Sequence, residues 1–364
     1  MTHGFGEVGL GRRLLAVAMA VASAALAVGC GSSASGRPAP ITLVAYDSFP
    51  TEKTSLNTAI DEFTKATGIA VKIVIAGDAG AMVTKARLTA GNPEGDVMWG
   101  VDNTLLSAAL DGKVFTKYEP SDWNSIDTQL TGLVPGHEIT PVDFGDVCIN
   151  YDIGWFKSHN VKPPASLDDL LKPEYKDLLV VENPSTSSPG LAFLMATIAD
   201  KGEAGWQGYW KALRANGVEV VDGWTTAYDD EFSGASGSTG SRPLVVSYGS
   251  SPPAEVIFAD PPRTDAPTAV VDSTCFRQVE FAGVLRGTHH EAEARKLVDF
   301  LISPRFQTEL ALNLFVYPAR TDTPLPPEFS KFAVIATNPF SIDPADIAAN
   351  RQRWQDEWTT IVLR

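Results

Sequence analysis

The apolar positions of the chain alternate between short runs and longer amphipathic stretches. This pattern is typical of an α/β fold with mostly parallel sheets. In its first part we expect a strand from Ile41 (ITLVAY), a helix over 53–67, a strand from Ile69 (IAVKIVIA), a helix near 80–91, a strand from Asp96 (DVMWGV) and a helix starting at Asn103. Ligands of such sheets bind beyond the carboxyl ends of the strands, so the residues just after Tyr46, Ala76 and Val101 should face a cleft.

The same alternation continues in the second part of the chain. We expect an extended stretch over 138–152, a strand from Leu178 (LLVVE), helices after Pro189 and over 206–215, a strand from Val218 (VEVV), a loop over 231–243, a strand from Leu244 (LVVSY) and helices over 291–302, 304–313 and 344–363. The loop is predicted from its composition, EFSGASGSTGSRP, which is rich in Gly and Ser.

The length after Ile41 indicates two lobes. About 320 residues are more than one compact core usually covers. We expect one lobe over 41–145 plus 246–325 and the other over 146–245 plus 326–364. A hinge is expected where the chain crosses between them, near residues 140–150 and 245–252.

The amino terminus predicts export. Two arginines precede an uncharged apolar run over residues 14–28 that stops at Gly29 and Cys30. The run is shorter than the roughly 20 residues of a spanning helix, so a signal peptide over 1–29 is expected. The segment AVGC resembles a lipobox, which predicts a lipid on Cys30 that anchors the exported protein to the outer face of the cell membrane. The alternative is an ordinary signal peptide. Residues 30–40 are rich in Gly, Ser and Pro and predict a flexible tether.

Two further cysteines, Cys148 and Cys275, lie in strand-like segments. In an oxidising compartment such a pair favours a disulfide, with two buried free thiols as the alternative.

Composition and motifs argue against several function classes. The net charge is −15, which argues against a nucleic-acid partner because no basic stripe is present to contact phosphates. The sequence contains no GxSxG, HExxH, Walker lysine loop or GxGxxG after a strand. His289 and His290 have no spaced partner for a metal. We therefore expect a monomer that is not an enzyme and has no cofactor or metal.

Polar and aromatic clusters stand at the predicted strand and helix ends instead. The candidate ligand-binding residues are Tyr46, Asp47 and Ser48 in YDSF, Asp78, Asp102 and Asn103 in VDN, Ser187, Ser188 and Gly190 in STSSPG, Trp224 and Tyr228 in GWTTAY, Tyr248 and Ser251 in SYGSSPP, and Phe315 in LFVYPA. Helix caps are the alternative for Asp102, Asn103 and the serines. An aromatic slot beside carboxylates suits a flat organic cation. A helix amino terminus after the serines suits a phosphate or hydroxyl group.

These clusters, in this order, resemble the thiamine-binding proteins of bacterial ABC transporters, within the type II group of iron, sulfate and polyamine periplasmic-binding proteins. The resemblance runs from about Ile41 to the RQRWQDEW tail. It implies a two-lobed fold that closes by hinge motion on thiamine or a thiamine phosphate. It also implies delivery of that ligand to a membrane permease driven by an ATPase.

The resemblance assigns a role to each cluster. The thiamine rings would stack among Tyr46, Trp224, Tyr248 and Phe315. Asp78, assisted by Asp102, would contact the aminopyrimidine or balance the thiazolium. The hydroxyethyl or phosphate end would lie at Ser187, Ser188 and Gly190.

The chain departs from the family pattern at three positions. Lys53 and Ala254 stand where the family has aromatic residues, and Phe315 stands where it has a tryptophan. The alternatives are a polyamine or ferric-ion binder of the same fold, an exported serine hydrolase using the STSSPG segment, and a structural lipoprotein. The absence of a Tyr-Tyr pair argues against iron.

Overall fold

Strands and helices alternate along the chain in the order that the apolar pattern predicts. The computed structural model describes residues 39–261 and 263–364. The expected signal peptide, the lipid site at Cys30 and nearly all of the tether lie outside the described residues.

The strands are β1 (Ile41–Ala45), β2 (Val71–Ile75), β3 (Val97–Asp102), β4 (Phe115–Thr116), β5 (Thr140–Asp152), β6 (Leu179–Glu182), β7 (Glu219–Val221), β8 (Leu244–Tyr248), β9 (Thr268–Leu285) and β10 (Tyr317–Pro318). The α-helices are α1 (Ser55–Thr67), α2 (Ala79–Leu88), α3 (Leu106–Asp111), α4 (Thr128–Thr131), α5 (Ile153–His159), α6 (Ser188–Lys201), α7 (Trp206–Ala215), α8 (Ala254–Ile257), α9 (Glu291–Leu301), α10 (Pro304–Asn313), α11 (Pro327–Phe332) and α12 (Pro344–Val362). Short 3₁₀ turns occupy Trp123–Ser125, Asp168–Leu171 and Pro173–Tyr175, and a π-helix occupies Thr226–Glu231.

Two long neighbouring strands, β5 and β9, join the two halves of the sheet. The strand order is β2-β1-β3-β9-β5-β8-β6-β7, with β4 on β9 and β10 on β5. β5 and β9 run antiparallel and pair from Thr140 opposite Ala282 to Asp152 opposite Thr268. A crossing is predicted near 245–252, where the chain forms the end of the short strand β8 and the turn after it. The long strand beside β5 is β9, which the sequence analysis did not recognise as one element.

The first half of the sheet is a parallel β2-β1-β3 unit. Strands β1 and β3 are mostly buried because helices cover the sheet, whereas the edge strand β2 stays partly exposed. Leu43 and Trp99 pack with Leu297 of α9 and Phe306 of α10 in one buried cluster. The chain therefore returns, nearly two hundred residues after β3, to cover the sheet that it began.

The second half contains the parallel pairs β8-β6 and β6-β7. Helix α6 is buried from Ser188 to Ile198. Trp210 of α7 packs edge to face on Trp358 of α12, with ring centroids 5.4 Å apart. The predicted carboxyl-terminal helix is thereby confirmed, and it forms part of the outer wall of this half.

Local side-chain hydrogen bonds set where two helices begin. The Thr54 hydroxyl caps α1 and the Asn57 side chain returns the bond, which makes a capping box. The helix predicted to start at Asn103 begins instead at Leu106. The Asp102 carboxylate accepts hydrogen bonds from the backbone N–H groups of Thr104 and Leu105, and this holds the intervening residues in a turn.

The predicted disulfide between Cys148 and Cys275 is present and joins β5 to β9. Both cysteines are buried beside Ala336. In the described part of the chain, no helix has the length and apolar character of a membrane span.

Candidate functional site

A cavity of about 610 Å³ opens where strand ends of both halves meet. The wall comes from residues just after β1, the turn into α2, the start of α6, the segment after β7, the segment after β8 and the end of α10. This placement follows the rule that ligands bind beyond the carboxyl ends of parallel strands. The volume suits a small organic molecule.

Most of the residues singled out from the sequence lie in this wall, and four do not. Those in the wall are Tyr46, Asp47, Ser48, Asp78, Ser188, Trp224, Tyr228, Tyr248, Ser251 and Phe315. Those outside it are Asp102, Asn103, Ser187 and Gly190.

One side of the cavity is a stacked aromatic pair. The rings of Trp224 and Tyr228 lie 4.9 Å apart between centroids, at an interplanar angle of 13°. The Trp224 indole Nε1–H donates to the hydroxyl of Ser247 at 2.9 Å. Tyr228 lies in the π-helix, a rare element that often marks a functional site. The stack and the hydrogen bond together hold the indole in one orientation.

Tyr46 and Tyr248 form two further aromatic surfaces. The Tyr46 ring packs against Gly100, which has φ of +112°, and a Cβ at that glycine would overlap the ring. The Tyr248 hydroxyl donates to Oε1 of Gln278 at 2.7 Å. Both rings are therefore positioned by contacts from the long central strands and their neighbours.

Phe315 closes another side of the cavity with an unusual backbone. Its φ is +54°, in the left-handed region that non-glycine residues rarely occupy. The Ser250 hydroxyl donates to its carbonyl oxygen, and its ring stacks on Phe329. Phe258, which is 63% exposed, meets Phe315 edge to face at 5.6 Å and also lines the cavity. The sequence analysis did not single out Phe258.

Asp78 connects two parts of the wall. Its Oδ1 accepts from the Ala79 N–H at 2.6 Å and caps α2, while Oδ2 accepts from the Trp224 N–H at 3.4 Å. Burial raises the pKa of Asp78 to about 6, although these backbone hydrogen bonds oppose the rise. Asp78 therefore positions the segment that carries the stacked tryptophan, in addition to bringing a carboxylate to the cavity.

The wall is strongly acidic. Its carboxyl groups belong to Asp47, Asp78, Asp222, Asp229, Glu255 and Glu280. Among the described residues, no lysine, arginine or histidine lines the cavity. A site with this charge favours a cation. Sequence reasoning missed Glu255 and Glu280; the only signal for Glu280 was a carboxyl among apolar residues in a strand.

The serine-rich segment is packed more tightly than its sequence suggested. Gly190 lies against the carbonyl oxygen of Glu182, where a Cβ would overlap it. The Ser188 hydroxyl accepts a hydrogen bond from the Gln278 side chain at 3.0 Å. Ser187 is buried, and its hydroxyl has no hydrogen-bond partner. Of these residues only Ser188 reaches the cavity wall.

The two remaining candidates outside the wall are engaged by the protein itself. The Asp102 carboxylate accepts from the N–H groups of Thr104 and Leu105 and from the Gln278 side chain. The Asn103 side chain bonds to the backbone of β9 at Arg277 and Val279. Neither side chain caps α3, whose N-cap is Leu105, so the helix-cap alternative does not describe them. Their expected contact with a ligand stays a prediction.

Lys53 and Ala254, two of the departures from the family pattern, lie in different places relative to the cavity. The Lys53 side chain is 82% exposed, pairs with Glu52 and does not line the cavity. Ala254 does line it, at the start of α8. At the other end of α8, Phe258 supplies an aromatic side chain to the same wall.

Comparisons with known proteins agree with this geometry. Residues 93–351 match the family described as bacterial extracellular solute-binding protein. The chain is 30% identical over 324 residues to the thiamine-binding periplasmic protein of Salmonella typhimurium, covering 89% of this chain and 94% of that one. It is 29% identical over 332 residues to the thiamine-binding periplasmic protein of Escherichia coli, with the same coverage. A solved periplasmic thiamin binding protein superimposes with a TM-score of 0.75 at 26% identity, covering 89% of this chain and 96% of that chain.

Proposed function

The chain belongs to the bacterial extracellular solute-binding proteins, and on that premise we propose that it binds thiamine or a thiamine phosphate for an ABC importer. One observation carries the proposal. The cavity combines stacked and facing aromatic rings with six carboxyl groups and, among the described residues, no cationic side chain. Thiamine has two flat aromatic rings joined by a methylene group, and its thiazolium ring carries a permanent positive charge.

The chemistry of the wall fits the parts of this ligand. Aromatic faces bind a cationic ring through cation–π attraction, which contributes about 2 kcal/mol when the contact is desolvated. Trp224, Tyr46 and Tyr248 offer such faces. Ser188 at the amino terminus of α6 offers a hydroxyl and the positive end of a helix dipole to the hydroxyethyl or phosphate end.

We also propose where the protein works. The predicted signal peptide and lipid site at Cys30 imply an exported protein held at the outer face of the membrane. From there it delivers its ligand to a permease and its ATPase. We expect it to act as a monomer. Two halves joined through the long strands β5 and β9 suit the hinge closure of such proteins.

Isothermal titration of the purified chain tests the ligand. Thiamine, its monophosphate and its diphosphate are titrated beside spermidine, an elongated cation without an aromatic ring. Sub-micromolar binding of at least one thiamine form, with spermidine much weaker, supports the proposal. Spermidine binding without thiamine binding would leave the family assignment intact and contradict the proposal that thiamine is the ligand.

An analogue series then tests the charge. Replacing the thiazolium by an uncharged thiophene ring keeps the flat shape and removes the charge. We expect binding about 30-fold weaker, since about 2 kcal/mol of cation–π attraction is lost. A pyridinium analogue, which keeps the charge, is the matched control.

A further inference from the structure

Three carboxyl groups stand side by side across the centre of the sheet. Glu280 of β9 is the register partner of Asp102 on β3 and of Asp143 on β5. Directly opposite residues of neighbouring antiparallel strands point to the same face, with Cβ atoms about 5 Å apart. The exposed fractions are 0% for Asp102, 6% for Glu280 and 0% for Asp143. We refer to these three residues as the carboxyl row.

The members of the row differ in how they are hydrogen-bonded. Asp102 is surrounded by donors from the turn that follows it and from Gln278. Asp143 accepts one hydrogen bond, from the Trp99 indole at 3.1 Å, and its Oδ1 has no partner. Oε2 of Glu280 likewise has no partner. Only Glu280 reaches the cavity wall.

Among the described residues, no positive charge compensates Asp143 or Glu280, whereas the Arg351 guanidinium of α12 lies near Asp102. The titratable groups that face Glu280 are Tyr46 at the end of β1, Tyr248 at the end of β8 and Asp78 before α2. All three are neutral or acidic. The row is also not placed to hold a metal ion, since the described residues contain no cluster of three such ligands with that arrangement.

Burial and like charges favour protonated carboxyl groups here. Burial raises the pKa of Asp143 to about 8. Burial, and then the nearby Asp143, Asp102 and Asp78 carboxylates, raise the pKa of Glu280 well above its ordinary value. An unpaired buried carboxylate is unfavourable, so the row retains a proton near neutral pH when the cavity holds no cation.

We propose that Glu280 is a specificity-determining residue whose carboxylate receives the positively charged ligand, and that binding releases a proton from the Asp143–Glu280 pair. In the balanced step, a carboxylic acid of the pair and a free cationic ligand become a carboxylate paired with the bound cation, and the proton passes to the buffer. This inference rests on the proposed function, because it needs a cationic ligand in the cavity.

The proposal links ligand affinity to pH, which can be measured. When one proton leaves on binding, affinity rises by up to about tenfold per pH unit below the pKa of the pair. A neutral ligand has no charge to replace that of the proton and causes no release. The pair therefore selects for charge separately from the aromatic wall, which selects for shape.

Calorimetry in two buffers tests the linkage. Thiamine is titrated into the purified wild-type chain near neutral pH, in phosphate and in Tris, whose ionisation enthalpies differ widely. The difference in observed heat gives the number of protons released. The same is done with Glu280→Gln, which keeps the shape and removes the titration. Asp272→Asn is the matched control, because it removes an exposed carboxylate from the same strand, outside the cavity.

We expect proton release by wild type and by Asp272→Asn, and none by Glu280→Gln. The affinity of Glu280→Gln should be at least tenfold lower and should no longer vary with pH. Equal heats in both buffers for wild type, or unchanged proton release by Glu280→Gln, overturn the inference. If thiamine still binds in that case, the proposed function stands. Infrared spectra of the ligand-free chain add a test that needs no ligand. The wild-type spectrum should contain a protonated-carboxyl band that is lost in Glu280→Gln, and a spectrum without such a band also overturns the inference. Failure of every thiamine form to bind contradicts the proposed function instead.

Discussion

The Trp224 indole lies between two restraints, the ring of Tyr228 stacked 4.9 Å away and the Ser247 hydroxyl that accepts its Nε1–H. A ring held on its face and at its edge loses little side-chain freedom when a ligand binds, since its rotamer is already set. This preorganisation makes the indole the strongest single contributor that the wall offers.

Trp224→Ala should weaken thiamine binding by about 30-fold or more, corresponding to about 2 kcal/mol. Trp224→Phe keeps a ring but loses the bond to Ser247, so a smaller loss is expected. Titration calorimetry measures both. The control is Trp155→Ala, which removes an indole stacked on His159 away from the cavity. Equal affinity of Trp224→Ala and wild type would show that the indole is not a ligand surface.

Asp143→Asn should stabilise the protein more at alkaline than at acidic pH. The pKa of Asp143 is raised by burial to about 8, above its value in the unfolded chain. The folded state therefore binds the proton more tightly, and stability falls as pH rises from about 4 to about 8. Asparagine removes that loss. Melting temperatures across this range should show a gain that grows with pH. The control Asp272→Asn, an exposed position on the neighbouring strand β9, should not give such a gain. A gain independent of pH would contradict this assignment.

Replacing Cys148 and Cys275 by serine should lower stability by up to about 5 kcal/mol, because the bond closes a long loop. Denaturation with and without a thiol reductant measures the effect. The reductant should lower the wild-type midpoint and leave that of the double variant unchanged, with Cys30 retained in both. A wild-type midpoint unaffected by full reduction would show that the bond does not contribute.

Gly190→Ala should destabilise the fold by about 1–3 kcal/mol, because its Cβ would overlap the backbone of Glu182. The matched control is Gly208→Ala in α7, where nothing lies within 4 Å of a new Cβ. That change should be neutral or stabilising by up to about 1 kcal/mol. Chemical denaturation compares the two. A Gly190→Ala variant of full stability but lost affinity would instead indicate the ligand contact expected from the sequence.

The strand-end positions were predictable because they depend on local pattern. A strand from Ile41 is evident from its short apolar run, and the rule for parallel sheets then places Tyr46 at a cleft. The same rule applied to β3 placed Asp102 beside the ligand, whereas its carboxylate is taken up by the following turn. The sequence shows which residues end a strand, but not which of their side chains form hydrogen bonds within the adjoining turn.

Glu280 could not be found in this way. Its position depends on the register of β9 against β3 and β5, and those partners are far away along the chain. Strand β9 carries both apolar and polar residues, without the clear alternation of a half-exposed strand, because helices and neighbouring strands bury much of it. Register between distant strands is a tertiary property, so the carboxyl row becomes visible only in the fold.

The interleaved order of the two halves has a consequence for export. Strands β1 to β3 leave the ribosome early, yet part of the cluster that covers them, including Leu297 and Phe306, is synthesised much later. The first half therefore cannot complete the burial of its sheet until most of the chain is available, and such distant pairings are slow to form. We expect a nascent chain that stays unfolded long enough to pass through a secretion channel as a thread.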